Sequence, residues 1–392
     1  MNATKTVLLF TALAALTGCV TNPYDVTGKP PKLLHVFGPD VVTPDGMAIA
    51  PDGALVIACP NYSDQTKPAR FMSIAAPGAP AKLWALAPTL ADTGLCCPMG
   101  IDFGPDGDLY VCDNQGWTGN AKGQFKGRIL RLEVKDGKVL KTTVIAEGLE
   151  HPNGIRVHND HVYVTQSLLT RIKDPAGKLV SGVYRFRLDA RNVNVTNTLA
   201  DPHLIATLTT QNPHCQYGID GLVFDSAGNL FVGNFGDGAL HKITFDDAGN
   251  VTGTTLFART DFDYATDPKA PGFLDTATRA KMRTTDGISI DRDDNIYVAD
   301  FSNNAIAKVT PQGAITVLWQ NGDTDGTDGS LNQPGEPIIW NNLIVVSNFD
   351  AVTGPDKVNT KHDLPATLSA LTTDADAAPT PRRHRHRYHG QP

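Results

Sequence analysis

A short motif, repeated six times along the chain, constrains the fold of this protein more than any other feature. In most copies the first residue of the motif is followed directly by a glycine. A short apolar run, a turn and a second apolar run come next. The copies start 54, 54, 67, 66 and 50 residues apart, at Asp45, Met99, Asn153, Asp220, Asp286 and Glu336. In the first five copies the turn is expected eight residues later, at Gly53, Gly107, His161, Gly228 and Asp294. Two β-branched or aromatic runs joined by such a turn predict a β-hairpin.

Length and composition agree with a single all-β domain. The 392 residues include 36 Gly and 27 Pro, and few uninterrupted segments are long enough for helices. Repeats of about 40 to 50 residues with four strands each are typical of β-propellers, whose blades bury their faces only by stacking. We therefore predict a six-bladed β-propeller over residues 32–370. The sixth copy lacks an outer strand, and the segment KLLHVFG from Lys32 is expected to supply it and close the ring.

The N-terminus predicts export. Residues 1–18 combine one lysine with an apolar segment that is too short to span a membrane, as in a secretory signal peptide. Leu16-Thr17-Gly18-Cys19 resembles the bacterial lipobox, which implies cleavage before Cys19 and lipidation of its sulfur. Residues 19–31 would form a tether, and Val20 favours the outer membrane, with the propeller facing the periplasm. A plain signal peptide with a chance cysteine is the alternative.

Charge argues against nucleic acid as a partner. The net charge is −7, and the basic cluster RRHRHRYH lies in the C-terminal segment 371–392, which its composition predicts to be disordered. Weak, incidental metal affinity is the simplest expectation for this tail. The expected partner is a small-molecule substrate, the expected membrane contact is the lipid anchor alone, and the expected state is a monomer.

The six repeat positions predict a metal site. The innermost strand of each blade lines the central channel, so the first residues of the copies should form a ring at one channel mouth. Carboxylates from Asp45, Asp220, Asp286 and Glu336, with the amide of Asn153, would repel one another unless a cation neutralised them. Oxygen ligands suit Ca²⁺ or another divalent cation. The alternative is that these residues only cap strands, since Asp or Asn before Gly is common in turns.

Three segments carry a family resemblance: HPNGIRV, GIDGLVFDSAGNLFVGNFG and TDGISIDRDDNIYVADFSNNAI. They resemble repeats of the senescence marker protein, gluconolactonase and luciferin-regenerating-enzyme family, with diisopropyl fluorophosphatase, paraoxonases and NHL-repeat propellers as more distant relatives. The resemblance implies a catalytic Ca²⁺ held by Asn153 and by Asp220, which would also serve as base or nucleophile. The family's blade-one glutamate is Asp45 here, and Glu336 is a candidate substitute. Met99 then belongs to a substrate wall, because a thioether is a poor ligand for a hard cation.

The ends of the second strands supply further candidates on the same face. They are expected at Cys59, Asp113, Gln166 or Ser167, Asn234, Asp300 and Asn348. With Met99, the polar residues Asp113, Asn234 and Asp300 are the candidates for substrate contact. His151 and His214 are candidate proton acceptors. Two insertions, Asn114–Gly127 and the segment before the fifth repeat with a possible helix over Pro271–Met282, could cover the mouth.

Five further cysteines map to this face: Cys59, Cys96, Cys97, Cys112 and Cys215. For an exported protein we expect a disulfide from Cys59 or Cys112 to Cys96 or Cys97. A soft Cu(I) site that includes Met99 is the alternative.

Two functions remain open at this point. One is a Ca²⁺-dependent hydrolase of a lactone or ester, in which Asp220 assists attack on the carbonyl. The other is a non-catalytic, envelope-tethered binding propeller. The intact Asn153 and Asp220 favour the hydrolase, whereas Met99 and the shorter Asp45 favour the binding protein.

Overall fold

The computed structural model describes residues 24–117 and 121–372, which form six β-sheets around a channel. This confirms the prediction of a six-bladed β-propeller. Cys19, the signal peptide and the basic cluster of the tail lie outside the described residues. Within the described residues, no helix is both long enough and apolar enough to cross a membrane.

Each blade is an antiparallel sheet in which successive strands lie progressively farther from the channel. Blade one contains β2 (Met47–Ile49), β3 (Leu55–Cys59), β4 (Arg70–Ile74) and β5 (Lys82–Leu86). Blade two contains β6 (Pro98–Phe103), β7 (Leu109–Asp113), β8 (Gly127–Lys135) and β9 (Lys138–Leu149), with the short β13 (Val193–Asn194) added in parallel at its rim. Blade three contains β10 (Pro152–His158), β11 (His161–Gln166), β12 (Val180–Arg187) and β14 (Leu204–Thr209).

The second half of the disc repeats this arrangement. Blade four contains β15 (Ile219–Phe224), β16 (Leu230–Asn234), β17 (Ala239–Phe245) and β18 (Val251–Arg259). Blade five contains β19 (Ile288–Ile290), β20 (Ile296–Asp300), β21 (Ala305–Val309) and β22 (Ile315–Gln320). Blade six contains β23 (Pro334–Trp340), β24 (Leu343–Asn348), β25 (Thr367–Thr372) and β1 (Lys32–Val36).

The N-terminal strand closes the ring as the sequence predicts. β1 pairs antiparallel with β25, with Lys32 opposite Ala370 and Val36 opposite Thr367. At the channel, each inner strand contacts the inner strands of its neighbours, and β2 of blade one contacts β23 of blade six. The sixth blade is therefore completed by strands from both ends of the domain, and β25 is not left as an unpaired edge strand.

Most of the predicted hairpin turns are present. Gly53, Gly107 and Gly228 adopt positive φ angles of 88°, 83° and 83°, and Asp294 adopts 61°. The third turn differs from the prediction, because it is tighter and lies at Asn159 and Asp160, so that His161 already begins β11.

The helix before the fifth repeat is shorter than predicted. α1 covers only Phe273–Ala277, and Gly272 precedes it in a left-handed conformation. Two single-turn 3₁₀ helices, Ala121–Gly123 and Phe301–Asn303, are the other helical elements among the described residues.

The cysteines contradict the predicted disulfide. All five cysteines among the described residues are free thiols. Cys59, Cys96 and Cys112 are buried in three different hydrophobic clusters, which fill the spaces between different pairs of blades. The sequence places all the cysteines on one face, but stacking of the blades separates them.

Candidate functional site

The strand registers define which residues form the ring at the channel mouth. In blade four, Ile219 pairs with Asn234 and Leu222 with Val232, so Asp220 and Gly221 lie in the bulge between the two pairs. In blade six the equivalent pairs are Pro334 with Asn348 and Pro337 with Val346. Gly335 is therefore equivalent to Asp220, and Glu336 occupies the position of Gly221. The sequence-based alignment of the sixth copy was wrong by one residue, because its glycine precedes the acidic residue.

The glycine that follows each of the other ring residues has a packing function. A Cβ on Gly100 would lie 2.5 Å from the carbonyl oxygen of Asn153, and a Cβ on Gly154 would lie 2.5 Å from that of Asp220. Neither glycine has a positive φ angle. The inner strands of neighbouring blades thus approach too closely for a side chain. This close approach, and not a turn conformation, explains why glycine occupies these positions.

Four of the predicted metal ligands share one surface, which we call the acidic floor: Asp45, Asn153, Asp220 and Asp286. Asp45, Asn153 and Asp220 are buried and Asp286 is half-buried, and all four line a cavity at the channel mouth. Asn153 Nδ2 donates to Asp220 Oδ2 over 2.6 Å. Asp220 and Asp286 also share a hydrogen bond, which lowers the pKa of Asp220 and raises the pKa of Asp286. The structure therefore brings these predicted residues into direct contact around Asp220.

Burial dominates the electrostatics of the acidic floor. It raises the pKa of Asp220 to about 7, with the hydrogen bond shared with Asp286 acting against this and the charge of Glu336 adding to it. Burial and the charges of neighbouring carboxylates, Asp220 first, raise the pKa of Asp45 and of Asp286 well above the usual range. Without a cation, the floor is therefore expected to retain protons near neutral pH.

Glu336 has a different environment from the floor residues. Its Oε1 accepts a hydrogen bond of 2.7 Å from Arg156, and its Oε2 accepts one of 2.9 Å from the Met47 amide. Arg156 also donates to the carbonyl oxygen of Ile288, 3.1 Å away. Because Arg156 belongs to blade three and Glu336 to blade six, this ion pair crosses the channel beneath the floor. Sequence reasoning missed Arg156, although it is the one basic residue at its position among the six inner strands.

The walls of the cavity are largely aromatic. The cavity has a volume of about 260 Å³ above the acidic floor. Its aromatic residues, which we call the aromatic collar, are Tyr62, Trp117, Tyr217, Phe235, Phe301 and Phe349. Met99, the predicted wall residue, also lines the cavity.

The aromatic collar was not predicted, but the sequence contains its signal. Phe235, Phe301 and Phe349 each directly follow the last residue of a second strand, in the dipeptides Asn-Phe, Asp-Phe and Asn-Phe. Trp117 and Tyr62 follow the second strands of blades two and one by a few residues. A search for apolar residues one position beyond the polar strand ends would have found half of the collar.

The two candidate histidines lie in different environments. His151 is buried at the cavity, where burial lowers its pKa to about 4, and its Nε2 lies 2.9 Å from the hydroxyl of Tyr217. Asn153 Nδ2 donates to the same hydroxyl over 2.9 Å. His214 is exposed outside this cavity, and its Nε2 lies 3.0 Å from the carbonyl oxygen of Ala265. The structure therefore brings His151, and not His214, to the acidic floor.

The predicted second-strand ends are found at the expected residues, but their polar side chains point into the protein. Asp113 accepts from the Cys97 amide over 2.8 Å and pairs with Arg128. Asp300 accepts from the amides of Arg283 and Thr284 over 2.8 and 3.0 Å. Asn234 hydrogen-bonds to Thr210. Asp113, Asn234 and Asp300 thus hold the loops that enter their blades, and they do not line the cavity.

The donor chemistry of the acidic floor fits a hard divalent cation. Among residues 24–117 and 121–372, no three His, Cys, Asp or Glu side chains are arranged as a metal site. The floor nevertheless offers three carboxylates and an amide, all oxygen donors. The nearby cationic side chains are already paired, Arg156 with Glu336 and Lys357 with Asp356. A cation on the floor would therefore neutralise carboxylates that these nearby basic side chains leave without a charge partner.

The raised carboxyl pKa values predict how the metal-free protein responds to pH. A carboxyl whose pKa is higher in the folded state stabilises the fold at low pH, and this contribution is lost as pH rises through the folded pKa. Burial of His151 and partial burial of His241 lower the pKa values of these histidines, which has the opposite effect on stability. This effect is complete above about pH 6.5. Between about pH 6.5 and 8.5 the melting temperature of the chelated protein should fall by a few degrees. Asp286→Asn should reduce this fall, and an equal fall in the variant would contradict the assignment.

Comparison with known proteins supports the fold. The luciferin-regenerating enzyme has 11% sequence identity and a TM-score of 0.55, with 90% of this chain and 97% of that chain covered. The calcium-binding protein regucalcin from Agrobacterium tumefaciens str. C58 has 11% identity and a TM-score of 0.54, with 91% and 98% covered. A putative gluconolactonase has 13% identity and a TM-score of 0.51, with 90% and 97% covered. Solved sugar dehydrogenases share the fold to a similar degree.

At these identities the solved structures establish the propeller fold alone, and they confirm at that level the resemblance inferred from the sequence. No curated protein matches the chain in sequence. One family model does match, over residues 75–338, and these residues include most of the strands that build the cavity. The chain therefore belongs to the family described as a domain of unknown function, DUF7133.

Proposed function

We propose that the protein is a hydrolase of small lactones or esters that depends on a divalent cation, with Ca²⁺ the best match to the donors. Asp45, Asn153, Asp220 and Asp286 would hold the ion. The observation that carries the proposal is the group of three neighbouring carboxyls on the floor of one cavity, whose pKa values are raised by desolvation and by one another's charge. Acids in a cleft whose pKa values are shifted by desolvation and by a specific charged neighbour are candidates for a functional site. The names of the putative gluconolactonase and of calcium-binding regucalcin agree with this proposal.

The chain's own groups supply the remaining chemistry. When bound, the cation would polarise the substrate carbonyl and stabilise the oxyanion that forms from it. Asp220 would take a proton from the water that attacks the carbonyl carbon. The ester C–O bond then breaks, and the departing alkoxide recovers the proton. Asn153 orients Asp220 through its 2.6 Å hydrogen bond, and the collar keeps bulk water away from the reacting atoms.

The second candidate is a binding propeller without catalysis. It is favoured by the absence of a fourth carboxylate from the ring, since Gly335 stands at that position and Glu336 is paired with Arg156. Such a protein could hold an ion or a ligand on the same floor and leave it unchanged.

Metal content and chelation distinguish the two candidates. The purified protein should contain about one divalent cation per chain, and it should hydrolyse members of a lactone and aryl-ester panel. Chelation should abolish this activity, and added Ca²⁺ should restore it. Activity that persists after complete removal of metal would refute the cation-dependent mechanism, whereas bound metal without any hydrolysis would favour the binding protein.

We further propose that Cys19 is lipidated and tethers the propeller to the outer membrane, on the periplasmic side. The support is the Leu-Thr-Gly-Cys tetrad at the end of the N-terminal apolar segment. Detergent phase partitioning of the wild type and of Cys19→Ser tests this proposal. Wild-type protein should enter the detergent phase and the variant should not, and wild-type protein found in the aqueous phase would contradict it.

A further inference from the structure

We propose that the cavity selects a neutral substrate that carries a flat aromatic ring, such as an aryl ester or a benzo-fused lactone, over a sugar lactone. The inference depends on the proposed function only for the identity of the group that reacts, a lactone or ester. Recognition of the ring is a separate property of the walls, and it can be measured without turnover.

Together with His151, the aromatic collar forms a closed circle of contacting rings around the cavity. Trp117 contacts Tyr62 and Phe349, with ring centroids 4.6 and 5.5 Å apart, and both contacts are edge-to-face. Trp117 also stacks on His151 at 5.7 Å, and His151 meets Tyr217 at 5.4 Å. Rings that hold one another in this way present fixed faces and edges to a ligand, which is the arrangement that aromatic partners prefer.

The other side of the circle is equally continuous. Tyr217 meets Phe235 at 5.2 Å, Phe235 meets Phe301 at 5.6 Å, and Phe301 meets Phe349 at 5.7 Å. The three phenylalanines are buried, whereas Tyr62, Trp117 and Tyr217 are partly exposed. The partly exposed rings are therefore the surfaces that an incoming ring can cover.

The walls have few accessible polar groups with which to recognise sugar hydroxyls. The hydroxyl of Tyr217 is shared between His151 and Asn153. Lys357 Nζ is paired with Asp356 at 2.9 Å. Trp117 Nε1 has no hydrogen-bond partner, but it is buried beneath the cavity surface, where a ligand does not reach it without a shift of the ring. The hydroxyls of a sugar that face these walls would lose their hydrogen bonds to water without replacing them, which weakens binding.

Size and charge agree with a neutral aromatic group. An apolar cavity of about 150 Å³ accommodates benzene, so about 260 Å³ leaves room for a second fused ring. The pairing of Lys357 with Asp356 neutralises the rim, so it offers no unpaired cation to a carboxylate or phosphate on the substrate. With the ring in the collar, the carbonyl would face the acidic floor below.

Two lactones with the same six-membered reacting ring test the inference: a benzo-fused δ-lactone and glucono-δ-lactone. Calorimetric binding is measured with chelated protein, and hydrolysis is measured separately with Ca²⁺. We expect the benzo-fused lactone to bind at least about tenfold more tightly. Equal or tighter binding of the sugar lactone would overturn the inference. Binding of the benzo-fused lactone without hydrolysis would uphold the inference while refuting the hydrolase.

Two tryptophan variants locate the effect. Trp117→Ala should weaken binding of the benzo-fused lactone by about tenfold, because stacking on Trp117 is lost. Trp84→Ala is the matched control, since Trp84 packs edge-to-face against Phe71 and Phe103 and does not line the cavity. A thermal melt establishes that each variant is folded, and Tyr62→Ala replaces Trp117→Ala if that variant fails to fold. Unchanged binding in the folded collar variant would overturn the inference.

Discussion

Asp220→Asn is expected to reduce hydrolysis by about 100- to 10,000-fold, the range typical for loss of a general base. The amide keeps the size of the side chain and can still accept the hydrogen bond from Asn153. It cannot accept a proton from water at neutral pH, and it removes one negative charge from the cation site. The effect should appear in kcat measured at saturating Ca²⁺ and substrate.

The matched control for this variant is Asp52→Asn. Asp52 is exposed in the first hairpin turn, where its Oδ1 accepts from the Ala54 amide, a role that asparagine can also fill. Its hydrolysis should be unchanged. Metal-free Asp220→Asn should melt no lower than the wild type above about pH 7, because a buried carboxyl with a raised pKa is removed. Near-normal hydrolysis by a folded Asp220→Asn protein would exclude Asp220 as the base.

Arg156→Met is expected to destabilise the protein by about 3 to 5 kcal/mol, because it leaves Glu336 buried without its charge partner. Glu336 is almost fully buried and is held by Arg156 at 2.7 Å. The ion pair also connects opposite sides of the ring, since Arg156 lies on β10 and Glu336 on β23. Chemical denaturation of the metal-free protein measures the difference in the free energy of unfolding.

Arg131→Met is the control for this ion pair. Arg131 lies on β8 and pairs with Asp106 and Asp108. Its side chain is 27% exposed, so loss of these ion pairs should cost about 1 kcal/mol or less. The double variant Arg156→Met with Glu336→Gln should recover part of the loss, because the unpaired charge is then removed. If Arg156→Met cost no more than Arg131→Met, the ion pair would not be a structural support of the channel.

Features that depend on local sequence were predicted well. The hairpins follow from apolar runs separated by turns such as Gly53 and Gly107, and the ends of the second strands at Asp113 and Asn234 follow from the same pattern. The closing strand at Lys32 was predictable because one N-terminal strand had no blade and the sixth blade lacked a strand. Pairing the two satisfies both requirements. These features require only the periodicity of strands and the need to cover sheet edges.

Features that depend on contacts between blades were not predictable in the same way. A bulge in four of the six inner strands sets which residue faces the channel mouth. In β23 the glycine comes one residue earlier than in the other copies, and Glu336 therefore lies outside the ring. The Arg156–Glu336 pair joins residues 180 positions apart. The cysteines share a face but lie between different blades, which no sequence spacing reveals. Local strand patterns carry no information about such distances across the disc.

The direct test of the cation site is a thermal melt of the wild type and of Asp220→Asn, each with and without Ca²⁺ at about pH 8. A bound ion stabilises the folded state by mass action, by about 2.7 kcal/mol at a hundredfold excess over its dissociation constant. The wild type should therefore melt several degrees higher with Ca²⁺, and Asp220→Asn should respond much less, because one ligand charge is missing. Equal responses of the two proteins, or no response of the wild type, would contradict a divalent cation on the acidic floor.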